Sequence, residues 1–475
     1  MCPHHSRHYI TIDITPFVCY NVSVNKEKRK QFYCVCEGRS VMRKKALQTA
    51  VSRSVLYIKL YSFIESLFSS LFYFVEVTNL SLLDKLSDPS AWADFYRYRT
   101  THGSLSKKEL NALESLVAEQ RYLPIAQTLE FSLPQKKLIN KSGSHKKRVI
   151  YMFPEDETWV LKMLTWLLYK YDSALHGNCY SFRRTFTAHA AVSDAVHTKN
   201  VSEKWALKLD LHNYFNSMPS QMLVREFAKV ITDDTPLLDF LTRFYTLDKA
   251  LCGEKVIAEN RGAMAGVPLS AFCANIYLAD LDARFEALGT PYFRYSDDIL
   301  VLADSQQQAQ EYYTIIKEHI ESKGLTLNDE KFSLTPPHSA WEFLGFKFCE
   351  GTVDLADSSV RKMKAKIKRK ANKLLRWKNK KHLDGDKAAK AMIKVFDRKF
   401  FDTELERDFT WSRWFFPVLT TDVGLHTLDE YLVENIRYLY TGRHYKGNYK
   451  ITYEHIRSLG YKSLVSEYYK YRRTK

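Results

Sequence analysis

The spacing of apolar residues changes several times along this chain, and each change predicts a different kind of element. Residues 88–100 and 104–120 place apolar side chains at helical intervals, and the second segment has a serine where a helix N-cap is expected. Residues 132–153 are strand-like on both sides of turn residues at 140–144, which predicts a basic hairpin. Residues 157–175 return to the helical period.

From residue 204 onward, strand and helix patterns alternate. The predicted elements are, in order, a strand that runs into a turn at 204–215, helices at 222–231 and 270–288, a strand–turn–strand at 292–303, a helix at 309–324 and a short hairpin at 341–349. The helix at 309–324 is predicted to end at Gly324, because glycine tolerates a left-handed cap. This mixture predicts an α+β fold with helices on one face of an antiparallel sheet.

Beyond about residue 355 the pattern predicts helices. Residues 361–381 contain twelve Lys or Arg residues and no acidic residue. One stripe of apolar residues runs along this predicted helix, at Met363, Ile367, Ala371 and Leu374. We expect the stripe to pack and the rest of the helix to present a positive surface. Residues 384–386 predict a turn, and the remainder predicts helices rich in Tyr, Trp and basic residues.

The N-terminal region has the weakest pattern. Its most apolar stretch, 54–77, contains Lys59 and Glu65, whereas a membrane-spanning helix needs about 20 residues with few or no charges. This stretch therefore predicts an amphipathic helix that packs on protein. The chain has eight cysteines, none at CxxC spacing, and no secretory signal, which favours a reducing, cytoplasmic setting. Four cysteines lie near the N-terminal histidines, namely Cys2, Cys19, Cys34 and Cys36. We expect a loosely ordered leader there, and a zinc site is the alternative.

Composition and charge narrow the class of partner. The chain has 475 residues, of which 45% are hydrophobic and 26% charged, so a folded protein of about three domains is favoured over a disordered one. The net charge of +17 favours a polyanionic partner. Nucleic acid is the first expectation, and a membrane surface is the main alternative.

Two adjacent aspartates, Asp297 and Asp298, lie between the apolar segments 291–295 and 299–303. Adjacent carboxylates in a tight turn repel each other and lose solvation, and a divalent cation removes that repulsion. Asp210 ends another alternating apolar strand. If the two strands are neighbours, Asp210 and Asp297 can share two metal ions, as in phosphoryl transfer. The alternative is a purely structural turn.

Several segments, in chain order, resemble the motifs of reverse transcriptases. YSDD (295–298) resembles the catalytic YxDD turn, and LKLDLHNYFNS (207–217) resembles the first catalytic motif, with an aspartate five residues before an aromatic residue. RGAMAGVPLSAFCANIYL (261–278) is similar to the Gly-rich loop and helix that hold template and incoming nucleotide. The other similar segments are SHKKRVIY (144–151), CYSFRRTFTAHAAVSDAV (179–196), GLTLNDEKFSL (324–334) and WEFLGF (341–346). Together they cover about residues 130–350.

The resemblance implies a catalytic role for individual residues. Asp210, Asp297 and Asp298 would be the catalytic carboxylates, and they would hold Mg²⁺, or alternatively Mn²⁺. The main-chain carbonyl of Leu211 would complete one metal site. Lys331 would protonate the leaving pyrophosphate, and the alternative is an exposed bystander.

The resemblance also implies substrate contacts. Phe215 would be a steric gate whose ring excludes a ribose 2′-hydroxyl, and core packing is its alternative role. Arg148, with Lys146 or Lys147, would grip the triphosphate, although solvated lysines are an equal alternative. Gly266 would contact the incoming dNTP and the template.

Contacts with the primer are implied at two places. The primer grip would be Phe343, Leu344 and Gly345, and Tyr295 and Ser296 would lie near the primer end. Later aromatic residues would either stack on single-stranded RNA or belong to the core, namely Trp411, Trp414 and Tyr440.

Some features depart from the family pattern. The loop reads Met264-Ala265-Gly266 where the family often has Pro-Gln-Gly, so a glutamine that contacts nucleotide and template is absent. The Val-Thr-Gly motif of retron enzymes is also absent. The sequence resembles the bacterial "unknown group" reverse transcriptases, several of which serve antiphage defence. That resemblance implies a dedicated structured non-coding RNA as template and partner, a DNA primer or product, and dNTPs, with no membrane partner.

The sequence therefore predicts a right-hand polymerase with fingers, palm and a helical thumb. The predicted divisions are an N-terminal extension of unknown role at 1–85, fingers at 86–204, palm at 205–350 and a basic helical thumb region at 351–475. The predicted function is RNA-directed DNA synthesis. Template-independent or protein-primed DNA synthesis and a non-catalytic RNA-binding scaffold are the alternatives, and the intact aspartates argue against the scaffold. Phe215 disfavours an RNA-copying RNA polymerase.

Overall fold

A computed structural model of the protein describes residues 80–102, 105–140, 147–401 and 410–474. The helix predicted at 54–77 and the N-terminal cysteines lie outside these residues. The helices are α1 Pro89–His102, α2 Lys107–Ala118, α3 Leu123–Thr128, α4 Glu155–Leu167, α5 Ala188–Val196, α6 Tyr214–Ser217, α7 Ser220–Val230, α8 Thr235–Thr246, α9 Ser270–Ile276, α10 Ala279–Ala287, α11 Gln306–Ser322, α12 Asp357–Lys380, α13 Gly385–Phe400, α14 Trp411–Phe415, α15 Val423–Thr441, α16 Tyr453–Ser458 and α17 Leu464–Arg473. The strands are β1 Gln135–Asn140, β2 Lys147–Met152, β3 Trp205–Asp210, β4 Lys249–Cys252, β5 Lys255–Ala258, β6 Tyr292–Tyr295, β7 Asp298–Ala303, β8 Ser333–Thr335, β9 Trp341–Phe343, β10 Phe346–Cys349 and β11 Thr352–Leu355. This mixed α+β arrangement confirms the predicted fold class.

The central sheet has the strand order β6-β7-β3-β8, and all of its pairs are antiparallel. Its faces contact two different hydrophobic cores. Leu207 and Ile299 belong to the first core, whereas Ala206 and Leu300 belong to the second. Alternate side chains of a strand point to opposite faces, so both faces of this sheet are buried.

Helices cover both faces of the central sheet, whereas the sequence predicted helices on one face. Helix α11 contributes Ile316 and Ile320 to the first core, and α5 contributes Ala191 and Val192 to the second. A strand with one exposed face alternates apolar and polar residues, whereas a strand buried on both faces does not. The uninterrupted apolar residues of β7 therefore explain why helices cover both faces.

A second sheet joins distant parts of the chain in the order β2-β1-β4-β5. The predicted basic hairpin is present as β1 and β2, which pair antiparallel from Gln135↔Met152 to Asn140↔Lys147. Strand β4 lies parallel to β1 and pairs antiparallel with β5. A third sheet, in the order β11-β10-β9, precedes the C-terminal helices.

The basic helix α12 confirms the periodicity argument. Its four buried residues are the predicted stripe, Met363, Ile367, Ala371 and Leu374. They pack in the second core against α13 and α15. The turn predicted at 384–386 is wrong, because Asp384 caps α13 by accepting a hydrogen bond from the Lys387 N–H at 2.7 Å.

The single helix predicted at 270–288 is also wrong, because the structure divides it into α9 and α10. A buried side chain causes the break. The Arg294 guanidinium donates to the carbonyl oxygens of Ala274 and Asn275 at 3.0 and 2.9 Å. These carbonyls are the acceptors that a continuous helix would offer to the next turn, and insertion of a side chain into that ladder interrupts a helix.

Candidate active site

The YSDD segment forms a two-residue turn between β6 and β7. Tyr295 pairs with Asp298, so Ser296 and Asp297 form the turn itself. Ser296 has a φ of +61°, the left-handed conformation that tight hairpin turns use. In the neighbouring ladder Asp210 lies opposite Asp298. The strand register therefore brings three aspartates to one end of the central sheet.

Main-chain hydrogen bonds connect the segments that carry these aspartates. The Leu211 N–H donates to the carbonyl oxygen of Asp297 at 3.2 Å, and the Asn328 N–H donates to the carbonyl oxygen of Asp210 at 2.8 Å. Leu211, whose carbonyl was predicted as a metal ligand, therefore lies directly beside the turn.

The two aspartates of the YSDD segment are buried close to negative charge. Burial, and then repulsion from Asp298 and Asp210, raises the pKa of Asp297 to about 6. Burial also raises the pKa of Asp298, although the charge of Lys208 opposes the change. A cation placed among these groups would stabilise their ionised forms.

Asp210 is held by two partners from the segment after α11. Its side chain is 4% exposed, and its Oδ1 accepts from the Lys331 ammonium. Its Oδ2 accepts from the Asn328 amide at 3.0 Å. The sequence predicted a site role for Lys331 but missed Asn328, which is three residues earlier and next to the short 3₁₀ turn that Lys331 ends.

Phe215 lies where the Gly-rich loop meets the turn after β3. Its carbonyl oxygen accepts from the Ala263 N–H at 2.6 Å. Gly262 has a φ of +55°, and a Cβ at this position would lie 2.5 Å from that oxygen. Only glycine allows this approach. The Phe215 ring is half-buried against the first core and 5.6 Å from the Tyr214 ring.

The side chain of Asn216 joins three parts of the site. Its amide donates to the carbonyl oxygen of Val149 on β2 at 3.1 Å, and its Oδ1 accepts from the Ala265 N–H at 2.8 Å. The Tyr151 N–H donates to the Ala265 carbonyl oxygen at 2.9 Å. The residue after the predicted gate thus fixes the loop and the hairpin together. The sequence did not indicate this role, because a single asparagine has no distinctive chemical signal.

The predicted triphosphate contacts lie on β2. Lys147 and Arg148 are exposed there, and Lys146 lies outside the described residues. Gly266 has a φ of +99°, and a Cβ on it would lie 3.0 Å from the Tyr151 carbonyl oxygen. The loop that would contact the nucleotide therefore packs against the strand that carries the basic residues.

A buried ion pair lies behind the YSDD turn. The side chains of Arg294 and Asp282 are both fully buried and pair directly. Arg294 also donates to the Ser296 carbonyl oxygen at 3.4 Å. One side chain thus links the turn to both α9 and α10. The sequence did not indicate this role, because Asp282 lies on a different element from Arg294.

The predicted primer grip is divided between core and turn. Phe343 is fully buried, so its side chain belongs to the second core. Leu344 and Gly345 form the turn, with φ values of +50° and +90°. The Gly345 carbonyl oxygen accepts from the Ala356 N–H at 2.9 Å and the Ser359 hydroxyl at 3.0 Å. The turn is therefore fixed to the start of α12.

The later aromatic residues favour the core interpretation over stacking. Trp411, Trp414 and Tyr440 are half-buried and pack against the second core. The Tyr440 hydroxyl also donates to Asp386 and lies 3.2 Å from His455 Nε2.

The oxygen ligands of this site fit a hard divalent cation. The Lys331 ammonium on Asp210 indicates that this carboxylate accepts positive charge. Across the described ranges, no three His, Cys, Asp or Glu side chains form a preassembled metal-binding group. Mg²⁺ usually takes one or two carboxylates and completes its coordination with water and substrate phosphates, so a closed protein cage is not required.

The described part of the chain also contains no helix with the length and apolar character needed to cross a membrane.

Residues 139–348, a little under half of the chain, match the family described as Reverse transcriptase (RNA-dependent DNA polymerase). This range contains the three aspartates, Phe215, Lys331 and the Gly-rich loop. The chain therefore carries a reverse transcriptase domain, and its enzyme class is RNA-directed DNA polymerase, as the sequence predicted.

The relatives are distant. Over 234 residues the chain is 24% identical to the Retron Ec86 reverse transcriptase of Escherichia coli, a match that covers 48% of this chain and 67% of that protein. Apo telomerase from Candida tropicalis matches at 13% identity with a TM-score of 0.40, covering 70% of this chain and 69% of that one. Telomerase from Candida albicans with a fragment of telomeric RNA matches at 12% identity and a TM-score of 0.37, covering 70% and 62%. These TM-scores are low, so the family match and the site geometry carry the assignment.

Proposed function

We propose that this protein is an RNA-directed DNA polymerase that extends a primer with dNTPs, using two Mg²⁺ ions. The observation that carries the proposal is the register of β3 and β7, which sets Asp210 opposite Asp298 with Asp297 in the adjoining turn. Two buried carboxylates with raised pKa values and a third bound to a lysine suit a site that works with cations.

Asp210, Asp297, Asp298 and the Leu211 carbonyl are the groups that would hold the metal. Bound there, the ions would lower the pKa of the attacking 3′-hydroxyl and neutralise charge on the triphosphate. Lys331 is 56% exposed, so its ammonium is accessible to a leaving pyrophosphate, to which it would give a proton.

The remaining contacts would select and orient the nucleotide. The Phe215 ring would exclude a ribose 2′-hydroxyl. Its fixed main chain supports that role, because a steric barrier must keep its position when a nucleotide binds. Lys147 and Arg148 would contact the triphosphate through charge-assisted hydrogen bonds. Gly266 would let the loop backbone approach nucleotide and template.

The proposed partner is RNA, and the positive surface of α12 supports it. The exposed residues of α12 include Arg361, Lys362, Lys368, Arg369 and Lys373. Such a row binds phosphates without sequence preference. The subfamily resemblance extends the proposal to a dedicated structured non-coding RNA, cytoplasmic localisation and a role in antiphage defence.

A second candidate is DNA synthesis with little or no template, or with a protein primer. The Ala265 side chain supports it, because alanine has no amide to hydrogen-bond a nucleotide or template base at the position where the family often has glutamine.

The test is to purify the full chain with the RNA that accompanies it, add Mg²⁺ and labelled dNTPs, and sequence RNA and product together. DNA complementary to a co-purified RNA supports templated synthesis and identifies the partner. DNA that matches no RNA favours the second candidate. RNA binding without any DNA product across primers and divalent ions contradicts the polymerase proposal.

A further inference from the structure

Phe182 has an unusual conformation for a bulky residue. Its φ is +53°, in the left-handed region, and the residue is 39% exposed. The left-handed backbone conformation is energetically unfavourable for a residue with a large side chain. Such strain persists where the surrounding structure imposes it, often at functional sites. An exposed ring on a strained backbone position does not contribute to core packing.

Hydrogen bonds on both sides impose this conformation. The Ser181 hydroxyl donates to Asn275 Oδ1 at 2.7 Å, and the Asn275 amide donates back to the Ser181 carbonyl oxygen at 2.7 Å. On the other side, Arg183 donates to the carbonyl oxygens of His176 and Cys179 at 2.6 and 3.1 Å. The backbone around Phe182 is therefore fixed, and the ring is held outside the core.

The same segment is attached to the catalytic turn. The Tyr180 N–H donates to the Arg294 carbonyl oxygen at 2.9 Å, and the Ser296 N–H donates to the Ser181 hydroxyl at 3.0 Å. As a result the ring of Phe182 lies 6.2 Å from the ring of Tyr295, which immediately precedes the turn.

We propose that Phe182 and Tyr295 form a two-ring surface that contacts the terminal base pair of the primer–template duplex. The proposal rests on the polymerase function above and adds Phe182 as a substrate-binding residue. Two uncharged rings suit a base or sugar rather than a phosphate, because an aromatic face offers neither a positive charge nor an N–H donor to a phosphate oxygen. Stacking on aromatic rings is also tolerant of sequence, as a polymerase requires at the position where each new base pair arrives.

The test compares Phe182→Ala, Phe182→Gly and Phe182→Tyr in the full chain. The readouts are KM for primer–template, KM for dNTP, kcat, Tm, and the Kd of the duplex measured by fluorescence anisotropy. We expect the Ala and Gly variants to raise the Kd and KM for primer–template by about 5- to 100-fold, as loss of one stacked base predicts. KM for dNTP should stay near the wild-type value, and Phe182→Tyr should retain duplex affinity.

The Phe182→Gly variant separates the effect of losing the ring from the effect of the backbone strain. Glycine adopts a positive φ without cost, so Phe182→Gly should have a higher Tm than Phe182→Ala while losing the same duplex affinity. Leu288→Ala is the control, because it removes a 52% exposed apolar side chain at the end of α10 and should leave the Kd unchanged.

Several results would overturn the inference. Wild-type duplex affinity in the Ala and Gly variants would show that the ring does not touch the duplex. A change in KM for dNTP alone would assign the ring to the incoming nucleotide. A wild-type protein that makes no DNA on any template would refute the proposed function instead, and the anisotropy series would still decide whether Phe182 contacts the duplex.

Discussion

Replacing Asp297 with asparagine should stabilise the metal-free protein while it abolishes DNA synthesis. Asparagine resembles the protonated carboxyl group in size but adds no charge to a buried cluster that already holds Asp298 and Asp210. Burial and these two neighbours raise the pKa of Asp297 from an ordinary 3.8 to about 6. At about 1.4 kcal/mol per pKa unit, the ionised carboxylate lowers the free energy of unfolding by roughly 2–3 kcal/mol.

The pH dependence has a definite sign. A raised carboxyl pKa means that the folded protein binds the proton more tightly than the unfolded chain does. The contribution of Asp297 to stability is therefore most favourable below pH about 4, and it is lost as the pH rises through about 6. An asparagine at this position carries no ionisable group and has no such loss. The stability advantage of Asp297→Asn should therefore grow by about 2–3 kcal/mol between pH 4 and pH 8.

The assay is urea unfolding of both proteins in EDTA at several pH values. Asp239→Asn is the matched control, because Asp239 is exposed on α8 and water already solvates its charge. Saturating Mg²⁺ at pH 8 should then stabilise wild type more than Asp297→Asn, so the difference between their free energies of unfolding becomes smaller. A difference that does not change with pH, or an Asp297→Asn protein that is less stable at pH 8, would refute the electrostatic account of this cluster.

Three further predictions concern other parts of the site. Phe215→Ala should reduce the preference for dNTPs over rNTPs by at least about tenfold in single-nucleotide extension, and unchanged discrimination would place the gate elsewhere. Asp282→Asn should lower the free energy of unfolding by about 3–5 kcal/mol, because it leaves the fully buried Arg294 without its charged partner, and a decrease below about 1 kcal/mol in urea unfolding would contradict this. Changing Lys368 and Lys373 of α12 to glutamine should weaken RNA binding equally for all sequences and lower the salt slope by about one for each phosphate that is no longer neutralised, whereas a sequence-selective effect would indicate base contacts.

Local periodicity accounts for what the sequence predicted well. The stripe of α12 is buried as expected because four residues at helical spacing must share one face. The β1–β2 hairpin and the YSDD turn were also predictable, since each combines strand-like segments with turn residues over a short stretch of chain. The predicted roles of the site residues and the domain divisions stay predictions.

Long-range contacts account for what the sequence missed. The break between α9 and α10 depends on Arg294, which lies about twenty residues away and takes two carbonyls from the helix. The pairing of Ser181 with Asn275 joins residues that are 94 positions apart. The types of these residues carry no chemical signal on their own, so only the fold reveals that they support the YSDD turn.

The most direct test of the central claim is primer extension on a defined RNA template with Mg²⁺ and four dNTPs. It compares wild type with the double variant Asp297→Ala, Asp298→Ala, and RNA binding is measured in parallel. We predict a complementary DNA product from wild type, none from the double variant, and equal RNA binding by both. Extension by the double variant, or loss of its RNA binding together with its fold, would contradict the claim that these aspartates form the catalytic site.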